Sequence, residues 1–275
     1  MRVAVIQYPG SNCEYETAWA IRFAGMEAEI FRWNRREDDL RKFDAFVLSG
    51  GFSYQDRVRA GVIAAKKPIM RIIQEEAEKG KPVIGICNGA QILVEAGMIP
   101  GISWGEVEMA LAPNTGGGRS GYYCNWVFVK CEVENKRCVA TYFLKKGEVI
   151  PLPVAHAEGR FITSYRKVLD KLIENKQVVL RYSDPEGKVR DEFPYNPNGS
   201  LYSIAGICNP QGNVFALMPH PERATWMRQI PEDLDSPYSG EKLKNRGDLK
   251  FMRSPGPGFK IFASLREYLK NKSKN

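Results

Sequence analysis

The alternation of short apolar runs with helical segments over the first third of the chain constrains the fold more than any other feature. RVAVIQ (Arg2 to Gln7) reads as a strand closed by Pro9 and Gly10, and Glu14 to Ala24 then follows a helical pattern. Glu27 to Trp33 reads as a second strand, and Asp44 to Leu48 as a buried third that stops at Ser49, Gly50 and Gly51. Ile69, Ile72, Ile73 and Ala77 recur at helical spacing between Pro68 and Gly80, which is the start and stop chemistry of a helix. PVIGI (Pro82 to Ile86) makes a fourth strand. Such alternation predicts an α/β fold, a mostly parallel sheet covered by helices on both faces, with ligands at the carboxyl ends of the strands. The chemistry is therefore expected where Ile6, Leu48 and Ile86 give way to loops.

From about Trp104 to Phe161 the pattern turns strand-rich, with NWVFVKCEV and EVIPLPVAH, so a small antiparallel extension is expected. Ile204 to Cys208 and Asn213 to Met218 read as a hairpin turning near Pro210 to Gly212. A last helix is expected from about Phe259 to Leu269, where Ile261, Phe262, Leu265 and Leu269 share a face. At 275 residues and 43% hydrophobic, the chain suits one elaborated domain over 1–275. The stretch at about 226–258, rich in Pro, Gly and charge, reads as an insertion or long loop, and such loops are usually functional or mobile.

Composition narrows the function classes. The N-terminus lacks the pattern of a secretory signal, and no run approaches the roughly 18 apolar residues of a membrane span, so a soluble, cytoplasmic protein is expected. The 40 basic and 32 acidic residues leave a charge of +8 spread along the chain, with Lys270, Lys272 and Lys274 in the tail. A basic surface can be merely solubilising, or can meet a phosphorylated metabolite or an acidic partner; no zinc finger or aromatic-interleaved basic motif points to nucleic acid. Six cysteines lie scattered without a C-x-x-C pair, and only two histidines are present. Cys124, Cys131 and Cys138 share an x6 spacing, but such odd separations in an extended stretch alternate between faces, so buried thiols rather than a metal site are expected.

In GICNGAQ (Gly85 to Gln91) the strand ends at Cys87 and apolar residues restart at helical spacing with Ile92 and Leu93. Cys87 thus occupies a sharp strand-to-helix turn, for which Gly85 and Gly89 supply the close approach. At a helix N-terminus the unpaired amides favour the thiolate, and the amide of Asn88 is placed to donate to an oxyanion. A core cysteine would fit the same position. In MPHPER, Pro221 biases His220 toward extended backbone, so His220 and Glu222 project to one side as an imidazole–carboxylate pair. LSGGFSY (Leu48 to Tyr54) ends a strand in two glycines; it is either a plain turn or a second source of oxyanion amides.

The order of Gly-Gly loop, C-x-G-x-Q elbow and H-P-E resembles the triad-type, or class I, glutamine amidotransferases. Within them the chain is similar to the glutaminase subunits of phosphoribosylformylglycinamidine synthases of purine biosynthesis. The resemblance runs through PGSNC (Pro9 to Cys13), SGGFSY, RAGVIA (Arg59 to Ala64), GICNGAQIL, AHAEGRF (Ala155 to Phe161) and IAGICNPQGNVFALMPHPER (Ile204 to Arg223). It implies that Cys87 attacks the glutamine carboxamide, His220 serves as base and then acid, and Glu222 orients His220. It further implies an oxyanion hole from Gly51 and Asn88, and glutamine held by Gln91 and the segment around His156 and Glu158. No metal or cofactor is implied on this chain, which has no phosphate loop of the G-x-x-x-x-G-K-[ST] kind; ATP and Mg²⁺ are expected on a large synthetase partner, with a small bridging protein as a third subunit. Two alternatives carry less of the pattern: a glutaminase subunit of another amidotransferase, or a catalytically silent subunit that senses glutamine. The resemblance also calls for Gly where Gln55 and Ala157 stand, and leaves 114–125 and 226–258 unassigned.

Overall fold

The computed structural model describes residues 1–118 and 120–272. The strands are β1 (Arg2–Gln7), β2 (Glu27–Arg32), β3 (Ala45–Leu48), β4 (Val83–Ile86), β5 (Ala110–Ala112), β6 (Tyr123–Cys131), β7 (Val149–His156), β8 (Arg160–Ile162), β9 (Val178–Ser183), β10 (Ile204–Cys208) and β11 (Val214–Leu217). The helices that flank them are α1 (Glu14–Phe23), α2 (Val62–Ala65), α3 (Pro68–Glu78), α4 (Asn88–Glu95), α5 (Arg166–Glu174), α6 (Pro237–Lys244), α7 (Leu249–Met252) and α8 (Phe259–Lys272). Lys274, the last cation of the basic tail, lies outside the described residues.

One sheet runs β2-β1-β3-β4-β11-β10-β9-β6-β7, and β5 pairs with β8 separately. The five strands from β2 to β11 are mutually parallel, and from β11 outward every pairing is antiparallel. The change follows from connection length. A short turn joins β10 to β11 as a hairpin, whereas parallel neighbours need a long crossover. β3, β4 and β11 are buried along their whole length, as strands covered on both faces must be, and their apolar runs show no alternation.

Register fixes where the chemistry sits. Ile6 pairs with Leu48, Leu48 with Gly85, and Ile86 with Leu217. The carboxyl ends of four adjacent parallel strands therefore finish level, and the loops after them, carrying Cys13, Gly50, Cys87 and His220, crowd onto one edge.

Two regions differ from the sequence reading. The stretch at 226–258 is not a plain loop: it holds α6, capped by the Ser236 hydroxyl on the Ser239 amide, and α7, capped by Asp248 on the amides of Lys250 and Phe251. Its ends return to the H-P-E turn, where the Gly256 amide donates to Thr225 and that of Gly258 to Ala224. Helices this short bury too few residues to show a period, leaving only the cap residues as a signal. The second difference is the pair α5 and β9, which supplies Val168, Leu169, Leu172 and Leu180 to the core.

Candidate active site

Cys87 stands at the junction of β4 and α4 with φ 53° and ψ −108°, a left-handed setting for a residue with a side chain. Such a backbone costs on the order of 1–3 kcal/mol and persists because its surroundings hold it. The Cys87 amide donates to Leu217 at 2.8 Å, and its carbonyl accepts from Ala90 and Gln91 at 2.9 and 3.1 Å, opening α4. Gly89 is required next to it: an ideal Cβ there would lie 2.0 Å from the Leu48 carbonyl oxygen. The strain thus turns the Cys87 side chain out at the helix N-terminus, with Sγ 3.7 Å from the Ala155 carbonyl oxygen.

His220 and Glu222 are both buried, and Nδ1 lies 2.5 Å from Oε1. His220 has the extended backbone expected of a residue before proline, but Glu222 sits in a 3₁₀ turn over Pro221–Ala224, so the turn and not a strand alternation brings the pair together. The His220 amide is anchored on the Pro153 carbonyl at 2.8 Å. Among the described residues, Nε2 has no hydrogen-bond partner. Burial disfavours the imidazolium, but Glu222 first, then Cys87 and Cys13, outweigh it and hold the His220 pKa well above its usual value.

The Gly-Gly loop closes over this pair. The Phe52 amide donates to Gly10 at 2.8 Å and the Asn12 amide to Gly50 at 3.3 Å, stitching SGG to PGSNC. Gly51 adopts φ +145°, and a Cβ there would meet backbone of Gly10, Ser11 and Asn12 within 2.8 Å. Among the described residues, neither the Gly51 nor the Asn88 amide donates to a protein acceptor. Beyond the loop, Tyr54, Gln55 and Asp56 all take left-handed φ, between 51° and 60°. At Gln55, where the resemblance calls for Gly, this geometry explains the preference.

Asn88 ties these parts together. Its Oδ1 accepts from the Ser53 amide at 3.1 Å, while Nδ2 reaches Gln91 Oε1 at 2.8 Å and Asp56 Oδ1 at 3.3 Å. Gln91 in turn donates to the Glu158 carbonyl at 2.6 Å, so its amide already serves the 156–159 turn. Asp56 and Glu158 confront each other: burial, then Glu158, raises the Asp56 carboxyl to about 6. His156 lies buried with its ring packed on Gly159, and burial, then the charge of His220, pushes it down to about 3. Asn114 escaped the sequence reading. Its side chain donates to the His156 carbonyl at 2.8 Å and accepts from the Gly159 amide at 3.1 Å, latching the turn; an isolated Asn beside a Gly-rich run gives no periodic signal. Cys13 was also given no role of its own, yet it touches His220.

Cys124 is exposed while Cys131 and Cys138 are buried, and among the described residues the only trio spaced for a metal ion is Cys13, His220 and Glu222. The 2.5 Å contact between His220 Nδ1 and Glu222 Oε1 is that of a hydrogen bond, closer than two ligands on one ion sit. Among the described residues, no helix is long and apolar enough to cross a membrane.

A parallel sheet with an elbow cysteine level with a histidine–carboxylate turn is the architecture of the triad-type glutamine amidotransferases, and residues 1–269 match the family of CobB/CobQ-like glutamine amidotransferase domains. Among curated relatives, a phosphoribosylformylglycinamidine synthase subunit PurQ of Methanothrix thermoacetophila is 51% identical over 280 residues, covering 99% of each chain. One from Aquifex aeolicus is 45% identical over 226 residues, covering 82% of this chain and 92% of that one. Among solved structures, PurLQS from Thermotoga maritima matches with a TM-score of 0.69 at 33% identity, over 98% of both chains. The chain belongs to the PurQ family, the glutaminase subunits of phosphoribosylformylglycinamidine synthase.

Proposed function

We propose that Cys87 is the nucleophile of the glutaminase reaction, with His220 as base and then acid and Glu222 as the carboxylate that orients it. The observation that carries this reading is the buried His220–Glu222 contact of 2.5 Å, which leaves Nε2 bare beside the elbow that presents Cys87. His220 takes the thiol proton, and the Cys87 sulfur adds to the carboxamide carbon of glutamine. The amides of Gly51 and Asn88 receive the oxyanion. The C–N bond then breaks as His220 returns the proton to nitrogen, releasing ammonia and leaving a glutamyl thioester. Water, deprotonated by the same imidazole, hydrolyses the thioester to glutamate.

The α-ammonium of glutamine falls to the carboxylates of Asp56 and Glu158, the acidic pair beside the elbow. Gln91 fixes the backbone of the 156–159 turn, and His156 packs beneath it as a neutral support. The whole of 1–275 works as one amidotransferase domain in the cytoplasm, with no metal or cofactor of its own. Its ammonia passes to a large synthetase subunit that uses ATP and Mg²⁺, with a small bridging subunit completing the complex. Relatives named as subunits, and a neighbour solved as PurLQS, support that assignment. The test is Cys87→Ala in the complex with the synthetase. Glutamine-dependent synthesis is expected to vanish while ammonia-dependent synthesis persists; unchanged glutamine-dependent activity would sink the reading.

A further inference from the structure

Cys13 is a buried thiol that the reaction above does not use, yet it lies closer to the active-site histidine than a bystander need be. Its Sγ is 4.0 Å from His220 Nδ1, on the same side of the ring as Glu222. Two further contacts orient the sulfur. The thiol donates to Asn12 Oδ1 at 3.0 Å, and Arg223 Nη2 donates to Sγ at 3.2 Å. Arg223 is itself drawn toward Glu16 on α1, at 3.7 Å. With the thiol proton committed to Asn12, the sulfur turns its lone pairs toward Arg223 and the Nδ1 side of His220. Gly50 packs against the ring beside Cys13: a Cβ there would lie 2.8 Å from His220 Cε1 and 3.2 Å from Cys13 Sγ. The ring is therefore wedged among Glu222, Cys13 and the Gly50 backbone.

We propose that Cys13, braced by Arg223, is a positioning residue for His220: it keeps the Nδ1 proton directed at Glu222 and so leaves Nε2 free for Cys87. This inference rests on His220 being the base. The weak sulfur contact alone would do little, but a second contact beside Glu222 removes the freedom of the ring to swing about its Cα–Cβ axis. The charged and titratable groups facing His220 are Glu222 from its own turn, Cys87 from the elbow, Cys13 from the start of α1 and His156 from the end of β7. Among the described residues, Tyr122 and, through Cys13, Arg223 are added to these. Cys13 is among the groups that support the imidazolium, so removing its sulfur lowers the pKa of the base and moves the acid limb of kcat/KM, along which His220 becomes protonated, to lower pH.

The experiment compares Cys13→Ala, Cys13→Ser, Arg223→Gln and the double variant Cys13→Ala/Arg223→Gln in the complex with the synthetase, with glutamine as substrate. In Cys13→Ala, kcat is expected to fall about 10-fold, a fraction of the 10²–10⁴ that a positioned base contributes, with KM little changed and the acid limb moved down. Cys13→Ser, which keeps a donor and an acceptor, restores most of the rate and the profile. Arg223→Gln slows the wild-type background but adds nothing in Cys13→Ala, because it acts through the sulfur. An unchanged rate and pH profile in Cys13→Ala overturns the proposal. So does an equal loss in Ala and Ser with an unmoved profile, or full additivity of Arg223→Gln. If Cys13→Ala does not fold, Arg223→Gln decides: a slowed kcat with a displaced pH profile supports the proposal, and a wild-type rate and profile overturn it. Loss of glutamine-dependent turnover in Cys87→Ala is a separate measurement, so failure here leaves the proposed chemistry standing.

Discussion

Adding one methyl group at Gly50 should slow the enzyme far more than it unfolds it. An ideal Cβ at this position lies 2.8 Å from His220 Cε1, 3.2 Å from Cys13 Sγ and 3.5 Å from Cys87 Cβ. Carbon atoms pack best at about 3.5–4.0 Å, so the His220 ring must retreat by roughly 0.7 Å. Retreat is opposed by Glu222 and by the His220 amide bond to Pro153. Overpacking of this kind costs about 1–3 kcal/mol of stability, which at about 2–4 °C per kcal/mol lowers the melting temperature by several degrees. A misplacement approaching 1 Å costs about 10²-fold in rate. Gly50→Ala is therefore expected to lower kcat by about 10–100-fold, equivalent to roughly 1.4–2.7 kcal/mol of barrier, with KM for glutamine little affected. The assay is glutamate release in the complex, beside a thermal melt monitored by circular dichroism. Gly240→Ala is the control, since a Cβ there meets nothing within 4 Å. A Gly50→Ala enzyme within twofold of wild type in kcat would refute the wedge geometry around His220.

Two expectations concern pH. His156 has its pKa pushed down from 6.5 to about 3, first by burial and then by the charge of His220, so the unfolded chain takes up its proton at higher pH than the folded one. Its contribution is complete above about pH 6.5 and lost as the pH falls toward 3, at up to about 1.4 kcal/mol per unit. In His156→Gln the acid arm of stability should flatten over that window, read as urea midpoints at successive pH values; parallel arms for the two proteins would count against it. Asp56 sits at about 6, raised by burial and then Glu158, so it becomes neutral as the pH drops through that value, and the hold proposed for it on the glutamine ammonium goes with its charge. The kcat/KM of the wild type should therefore fall below about pH 6 beyond any fall seen in Asp56→Asn, which should start about 10-fold lower; identical profiles would remove Asp56 from the site.

Much of the candidate site was legible because its residues advertise themselves locally. Gly85 and Gly89 bracket Cys87 in a strand-to-helix junction, and Pro221 marks a turn that joins His220 to Glu222. Asn114 and Cys13 gave no such sign. Each acts on a backbone turn or a ring that is distant in sequence: Asn114 on His156 and Gly159, Cys13 on His220. Asp56 was overlooked for a related reason, since its raised pKa depends on Glu158, brought to it only by folding.

The sequence by itself determined the strands β1, β3, β4 and the β10–β11 hairpin, the helices α1, α3 and α8, and the identity of the elbow cysteine and the histidine–carboxylate turn. These depend on periodicity, turn chemistry and proline restriction, which act over a few residues. Only the tertiary structure decided that β11 lies beside β4, which sets Leu217 against Ile86 and delivers His220 to Cys87 across a large part of the chain. It also decided that Glu222, Cys13 and Gly50 enclose the imidazole, with Arg223 behind Cys13. Strand order and register are settled by which buried faces fit together, and that information is spread over the whole core rather than written at any one site.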